Sequence, residues 1–222
     1  MEKHRRSVWL LSVVMVLSLL FVISAGFSFG SKKKIKMPSP WPPQMQRSFP
    51  DLELLDQDGK RWNLSRFKGK IIIVEPIGMN CPACQSWSGA FIKGAYGNIR
   101  PQKGLKDFKS LFKSYTRGLN LTDDGIVMIQ LLLYDLTMGQ PTAKDAKGWA
   151  KHFGFHSRND HYVVIPTQDM RNKPSFDMIP GFYLIDKKFK LRSDSTGHNP
   201  KDNLYTKLLP MVPRLLFEGK RR

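Results

Sequence analysis

The chain has only two cysteines, and they stand three positions apart in Gly78-Met79-Asn80-Cys81-Pro82-Ala83-Cys84-Gln85. No other feature restricts the fold as much. The pair follows Ile71-Ile72-Ile73-Val74-Glu75, a β-branched run of the kind that forms a buried central strand. Pro82 suits the opening turn of a helix, where its missing N–H has no partner to lose. The expected local order is therefore strand, cysteine pair, helix. A cysteine at a helix start has its thiolate stabilised by exposed N–H groups and the helix dipole. Two intervening residues let Cys84 reach Cys81 and resolve a mixed disulfide. A small domain stapled by several bridges is excluded, because one close pair closes no long loop. Taken alone, the residues leave three readings open: a redox dithiol, part of a metal site, or an inert pair. Zinc would need two further ligands. His152 and His156 have a plausible mutual spacing, but the stretch between them and the cysteines is far longer than a zinc finger's loop.

The rest of the chain alternates strand and helix signals. Residues 48–70 read as a strand, a turn at Asp58-Gly59 and a second strand around Arg61-Trp62. Leu105, Phe108, Leu111, Phe112, Tyr115 and Leu119 recur at helical spacing, as do Ala143, Ala146, Trp149, Ala150 and Phe153. Residues 126–133 read as a buried strand and 162–165 as a short one. Residues 181–185 and 190–193 form an antiparallel pair turning at Asp186-Lys187-Lys188. A last helix follows Asn199-Pro200, disturbed by Pro210 and Pro213. This order specifies an α/β domain with a mixed sheet. With 41% hydrophobic residues in 222, the chain can bury a core.

Charge and the amino-terminal region bound the setting. The net charge is +18, and about +12 of it lies beyond Lys36. A basic surface of this kind favours anionic membranes or acidic partners. No recognition-helix, zinc-finger or ribonucleoprotein pattern accompanies it, so nucleic acid is not expected as a partner. Lys3, Arg5 and Arg6 precede a strongly apolar stretch, residues 8–29. That length favours an uncleaved membrane anchor over a signal peptide, although small-residue sites near Ala25 and Gly30 keep cleavage and export as the alternative. Residues 32–47 follow as a tether rich in lysine and proline. The domain plan is anchor or signal at 1–31, tether at 32–47 and a globular domain at 48–222. The globular domain is expected outside the cytoplasm, held at the inner membrane by a single span.

Three motifs carry a family resemblance over residues 49–216. They are Phe49-Pro50-Asp51-Leu52 through Asp58-Gly59-Lys60, Leu64 and Phe67-Lys68-Gly69-Lys70; the strand–Cys81-Pro82-Ala83-Cys84–helix unit; and Ile179-Pro180-Gly181-Phe182-Tyr183-Leu184-Ile185-Asp186. With these the domain resembles the thioredoxin superfamily, in particular the tethered extracytoplasmic TlpA/ResA group. The resemblance implies a thioredoxin-like mixed β-sheet flanked by helices. It also implies a redox-active Cys81–Cys84 disulfide and no cofactor or metal. It makes Pro180 a cis proline facing the cysteines, with Ile179 offering its backbone to a substrate strand. Six residues before Cys81 it places a buried acid, Glu75. Elementary electrostatics agrees with that placement: a carboxylate ending an apolar strand is costly to desolvate, and its pKa should rise. Glu75 would then take the proton of Cys84 as that thiol attacks. Two departures stand out. Family members usually carry Trp where this chain has Asn80, and residues 85–124 exceed what one helix requires.

The implied activity is thiol–disulfide exchange with exported proteins, in the reducing direction, with electrons from a membrane thiol donor. The alternative is copper handling of the Sco type. Sco-like cysteines are separated by three residues rather than two, and no His lies near Ser175 to Asp177, where theirs is expected. A peroxiredoxin would need Pro and Thr where Val74 and Gly78 stand. His161 and His198 have no role in any of these readings.

Overall fold

The computed structural model describes residues 40–219. The apolar segment 8–29 and the first part of the tether lie outside the described residues. Among the described residues no helix is long and apolar enough to cross a membrane.

The domain is one seven-stranded sheet in the order β2-β1-β5-β4-β3-β6-β7. Its strands are β1 (Glu53–Asp56), β2 (Arg61–Asn63), β3 (Ile71–Gly78), β4 (Ile126–Tyr134), β5 (His161–Pro166), β6 (Tyr183–Ile185) and β7 (Leu191–Asp194). β3, β4 and β5 run parallel in the centre, and the outer strands pair antiparallel. Every residue of β3 and β4 is buried, as expected of central parallel strands covered on both faces. Successive side chains divide between two cores. Ile72, Val74, Ile129 and Leu131 pack with Trp149, Ala150 and Phe153. Ile71, Ile73, Ile126 and Met128 pack with Phe108, Phe112, Leu209 and Val212.

The helices at the cysteines, after Asp107, after Thr142 and at the carboxy-terminal end fall close to the expected places, and two short ones, Ala90–Lys93 and Lys173–Asp177, are added to them. α1 (Pro82–Ser88) follows the cysteine, then come α2 (Ala90–Lys93), α3 (Phe108–Tyr115), α4 (Ala143–Phe153), α5 (Lys173–Asp177) and α6 (Leu209–Phe217). α3 is shorter than its apolar spacing suggests. The Asp107 carboxylate caps it by accepting the Ser110 N–H at 2.9 Å, which leaves Leu105 outside. The carboxy-terminal helix is not broken by its prolines. A π-turn at Leu204–Leu208, in which the Leu208 N–H donates to Asn203 O, precedes a fresh start at Leu209. Pro210 therefore sits in a first turn, where its missing N–H costs nothing.

The long segment after the cysteines is stitched to α1 by two buried polar side chains. Gln85 Nε2 donates to Met79 O and Tyr96 O at 2.8 and 3.0 Å, and Gln85 Oε1 accepts the Tyr96 N–H. Ser86 Oγ donates to Pro82 O and Gln102 O. Their burial is thus matched by hydrogen bonds, and the segment braces the helix that carries Cys84.

Candidate active site around Cys81 and Cys84

β3 delivers the chain to Gly78, and Cys81 takes the N-cap position of α1 with extended backbone. Its Sγ accepts the Cys84 N–H at 3.3 Å. Both thiols are free; Cys81 is half-buried and Cys84 fully buried. The hydrogen bond from the Cys84 thiol holds the Cys81 thiol below its ordinary pKa against the opposing cost of desolvation, and the N–H groups of Cys84 and Ala83 add to the lowering. Burial pushes the Cys84 thiol well up, and the hydrogen bond to Cys81 and the charges of Cys81 and Glu75 push it further. Cys81 is thus the more accessible and more readily ionised of the two thiols.

Glu75 is fully buried on β3, opposite Gln130 of β4. It neither reaches solvent nor meets a lysine. Gln130 Nε2 donates to its Oε2 at 2.9 Å, and Oε1 has no hydrogen-bond partner. Burial raises its pKa from 4.5 to about 8; the Gln130 hydrogen bond opposes that rise and the charge of Cys81 assists it. Pro76 does not turn the side chain away. β6 pairs with β3 only at Ile72, Ile73 and Val74. Beyond Val74 one side of β3 is therefore an edge, where proline is tolerated.

The Ile179–Pro180 peptide is cis, and both residues line a cleft of about 500 Å³ with Asn80, Cys81, Tyr134 and Phe176. Phe176 is 51% exposed and Met138, also on the cleft, 38%. Ile179 offers less backbone than expected. Its N–H is committed to Phe176 O at 3.1 Å, which leaves the carbonyl for a bound strand. The Pro180 loop is pinned from the other side: the Gly197 N–H donates to Pro180 O at 2.8 Å, and the Ser195 N–H to Phe182 O at 2.9 Å. A Cβ on Gly181, at φ +152°, would run into Ser195 O and Thr196 Cα.

The histidines separate. His152 Nε2 lies 2.9 Å from Gly94 O. His156 and His161 line a second cavity of about 380 Å³ that Trp87 and Gln130 also border. His198 lines the Cys81 cleft, brought there by the 195–197 loop packing on the Pro180 loop. Nothing in its sequence neighbourhood announces this. Gln130 did leave a signal, as the one polar residue within the apolar run 126–133. Among the described residues no three Cys, His, Asp or Glu side chains are grouped to hold a metal.

No protein-family model and no curated protein matches the chain. Solved structures do. A Bacteroides thetaiotaomicron protein provisionally assigned as a protein disulfide isomerase aligns with TM-score 0.52 and 16% identity, over 81% of this chain and 94% of its own. An Aquifex aeolicus protein provisionally assigned to electron transfer aligns with TM-score 0.50 and 18% identity, over 78% and 98%. A thioredoxin domain of a Bacteroides vulgatus thiol–disulfide oxidoreductase aligns with TM-score 0.47 and 15% identity, over 76% and 98%. At such identities a likeness speaks for the fold, and the fold of residues 40–219 is a mixed α/β thioredoxin-like one.

Proposed function

We propose that the chain is a thiol–disulfide oxidoreductase that reduces disulfides in exported proteins. The observation that carries this reading is the asymmetry of the pair: a half-buried Cys81 with its thiol lowered, beside a sealed Cys84 with its thiol raised, above a buried acid. The Cys81 thiolate attacks one sulfur of a client disulfide, and the other client sulfur leaves as a thiolate and takes a proton. Cys84 then attacks the Cys81 sulfur of the mixed disulfide and gives its proton to the Glu75 carboxylate. The client's bonded sulfur leaves as the second thiolate. Two electrons have passed to the client, and Cys81 and Cys84 are joined. A membrane thiol donor restores the dithiol. The client lies against Ile179 and Pro180, its apolar side chains meeting Phe176 and Met138. With its pKa raised to about 8 by burial, Glu75 is mostly protonated at pH 7, and its ionised fraction grows toward pH 8.

This reading places the domain outside the cytoplasm, tethered through residues 8–29 in the manner of the TlpA/ResA group. Copper handling of the Sco type gains no specific support, since Cys81, Cys84 and the nearby His198 are not grouped as ligands. The test is trapping. Cys84→Ser should accumulate mixed disulfides with clients through Cys81, and Cys81→Ser should not. Trapping that depends on Cys84 instead would overturn the assignment. Copper and zinc measured in the same preparation would expose a metal carrier. An inactive alkaline phosphatase fused after the domain, with an active cytoplasmic reporter at the same point, would reject the location.

A further inference from the structure

Gln130 touches Glu75 on one side and Trp149 on the other, and the contacts differ in kind. Its Oε1 accepts the Trp149 indole N–H at 3.3 Å. Its Nε2 donates to Glu75 Oε2 at 2.9 Å and to Ser88 Oγ at 3.0 Å. An indole nitrogen can only donate. Turning the amide end for end would set two donors against each other at Trp149 and present an oxygen to Glu75. The indole itself is held in place. Trp149 is fully buried on α4, its ring packed edge-on to Tyr96 and Phe153 at centroid distances of 5.5 and 4.7 Å. The Thr142–Asp145 capping box anchors the start of that helix.

We propose that Trp149 is a positioning residue for Glu75: by fixing which end of the Gln130 amide faces the carboxyl group, it presents a donor that favours the carboxylate. The consequence for exchange rests on the role proposed for Glu75 above; the clamp itself does not. A carboxylate accepting an N–H is stabilised against its acid form, whereas a carboxyl group facing an amide oxygen must keep its proton to pair with it. Burial works the other way and is the larger effect, so the acid stays raised but within reach of neutrality. The titratable groups bearing on Glu75 are Cys81 and Cys84, next to and within α1. From β4 it meets Gln130 and, through that amide, Trp149 of α4 and Ser88 at the end of α1; none of these titrates. His161 of β5 shares the second cavity with Gln130, and burial keeps it neutral, its pKa lowered to about 3.

The test reads Glu75 directly. The chain has four glutamates, so a full-length protein labelled with carbon-13 at the glutamate carboxyls gives few resonances, and Glu75→Gln identifies the one that matters. In the wild type its titration midpoint should lie near 8. Trp149→Phe and Gln130→Met should each move it up by about one to two pH units, the worth of a hydrogen bond to a charged group. The double variant should move it no further. A core merely loosened by losing the indole would admit water and shift the midpoint down, so the direction separates clamp from packing. A midpoint unmoved or lowered in Gln130→Met overturns the proposal, including where Trp149→Phe fails to fold. If the midpoints rise as stated while Glu75→Gln resolves mixed disulfides at the wild-type rate, the clamp stands and the exchange role of Glu75 falls.

Discussion

Two surfaces meet at the first turn of α1, and they treat the same side chain in opposite ways. On the Cys81 side is a cleft rimmed by Phe176, Met138 and His198, open enough to leave the thiol half-buried. On the Cys84 side lies a sealed floor of Glu75, Gln130, Ser88 and Trp149, in which every polar contact is between buried groups. One thiol is lowered and the other raised, although only two residues stand between them. Solvent access and the polarity of neighbours set cysteine chemistry here, and sequence distance does not.

The sharpest way to break this contrast is Glu75→Gln, which leaves the floor closed but removes its titratable group. Resolution of the mixed disulfide near pH 7 should slow by about 100-fold, and the rise in rate toward pH 8 should vanish. Rapid-quench measurement of the Cys81-linked intermediate checks both. Stability carries a second signature. Because the folded state holds the Glu75 proton more tightly than the unfolded chain, stability is whole below the ordinary carboxylate value and falls as pH climbs toward about 8. Glu75→Gln lacks that loss, and its unfolding free energy at pH 9 should exceed the wild type's by roughly 4 kcal/mol.

The next largest effect belongs to the cleft. Gly181→Ala forces a side chain into Ser195 O at a backbone angle that favours glycine. It should cost about 2–3 kcal/mol in urea unfolding and reduce trapping by Cys81. Third comes the second cavity. His161 Nε2 is sealed without a partner, and its ring stacks on Phe155 at 4.0 Å. Burial lowers its pKa from 6.5 to about 3, so the fold loses stability as pH drops below 6.5 and the unfolded chain takes up the proton. His161→Phe should lose roughly 2 kcal/mol less than the wild type between pH 7 and 5. The smallest effect calibrates the others. Lys173 and Asp177 form an ion pair at 2.7 Å with both side chains exposed, and Lys173→Ala should change stability by no more than about 0.5 kcal/mol.

The sequence by itself determined the parts of this protein that rest on local chemistry. The β-branched run 71–75 became a fully buried strand because such residues fill a pleated surface covered on both faces. Cys81-Pro82-Ala83-Cys84 opened a helix because proline fits a first turn, and Glu75 was legible as a buried acid from its place in an apolar run. What surrounds these residues was decided by the tertiary structure alone. Ser88 stands near the pair in sequence, but Gln130 reaches Glu75 across strand pairing, Trp149 reaches Gln130 across helix packing, and His198 reaches the cleft only because one loop lies on another. The commitment of the Ile179 N–H to Phe176 likewise depends on how α5 ends. The physical reason is the same in each case. Chain pattern sets which residues leave water, whereas the partner a buried polar group finds depends on register and packing between segments far apart in the chain.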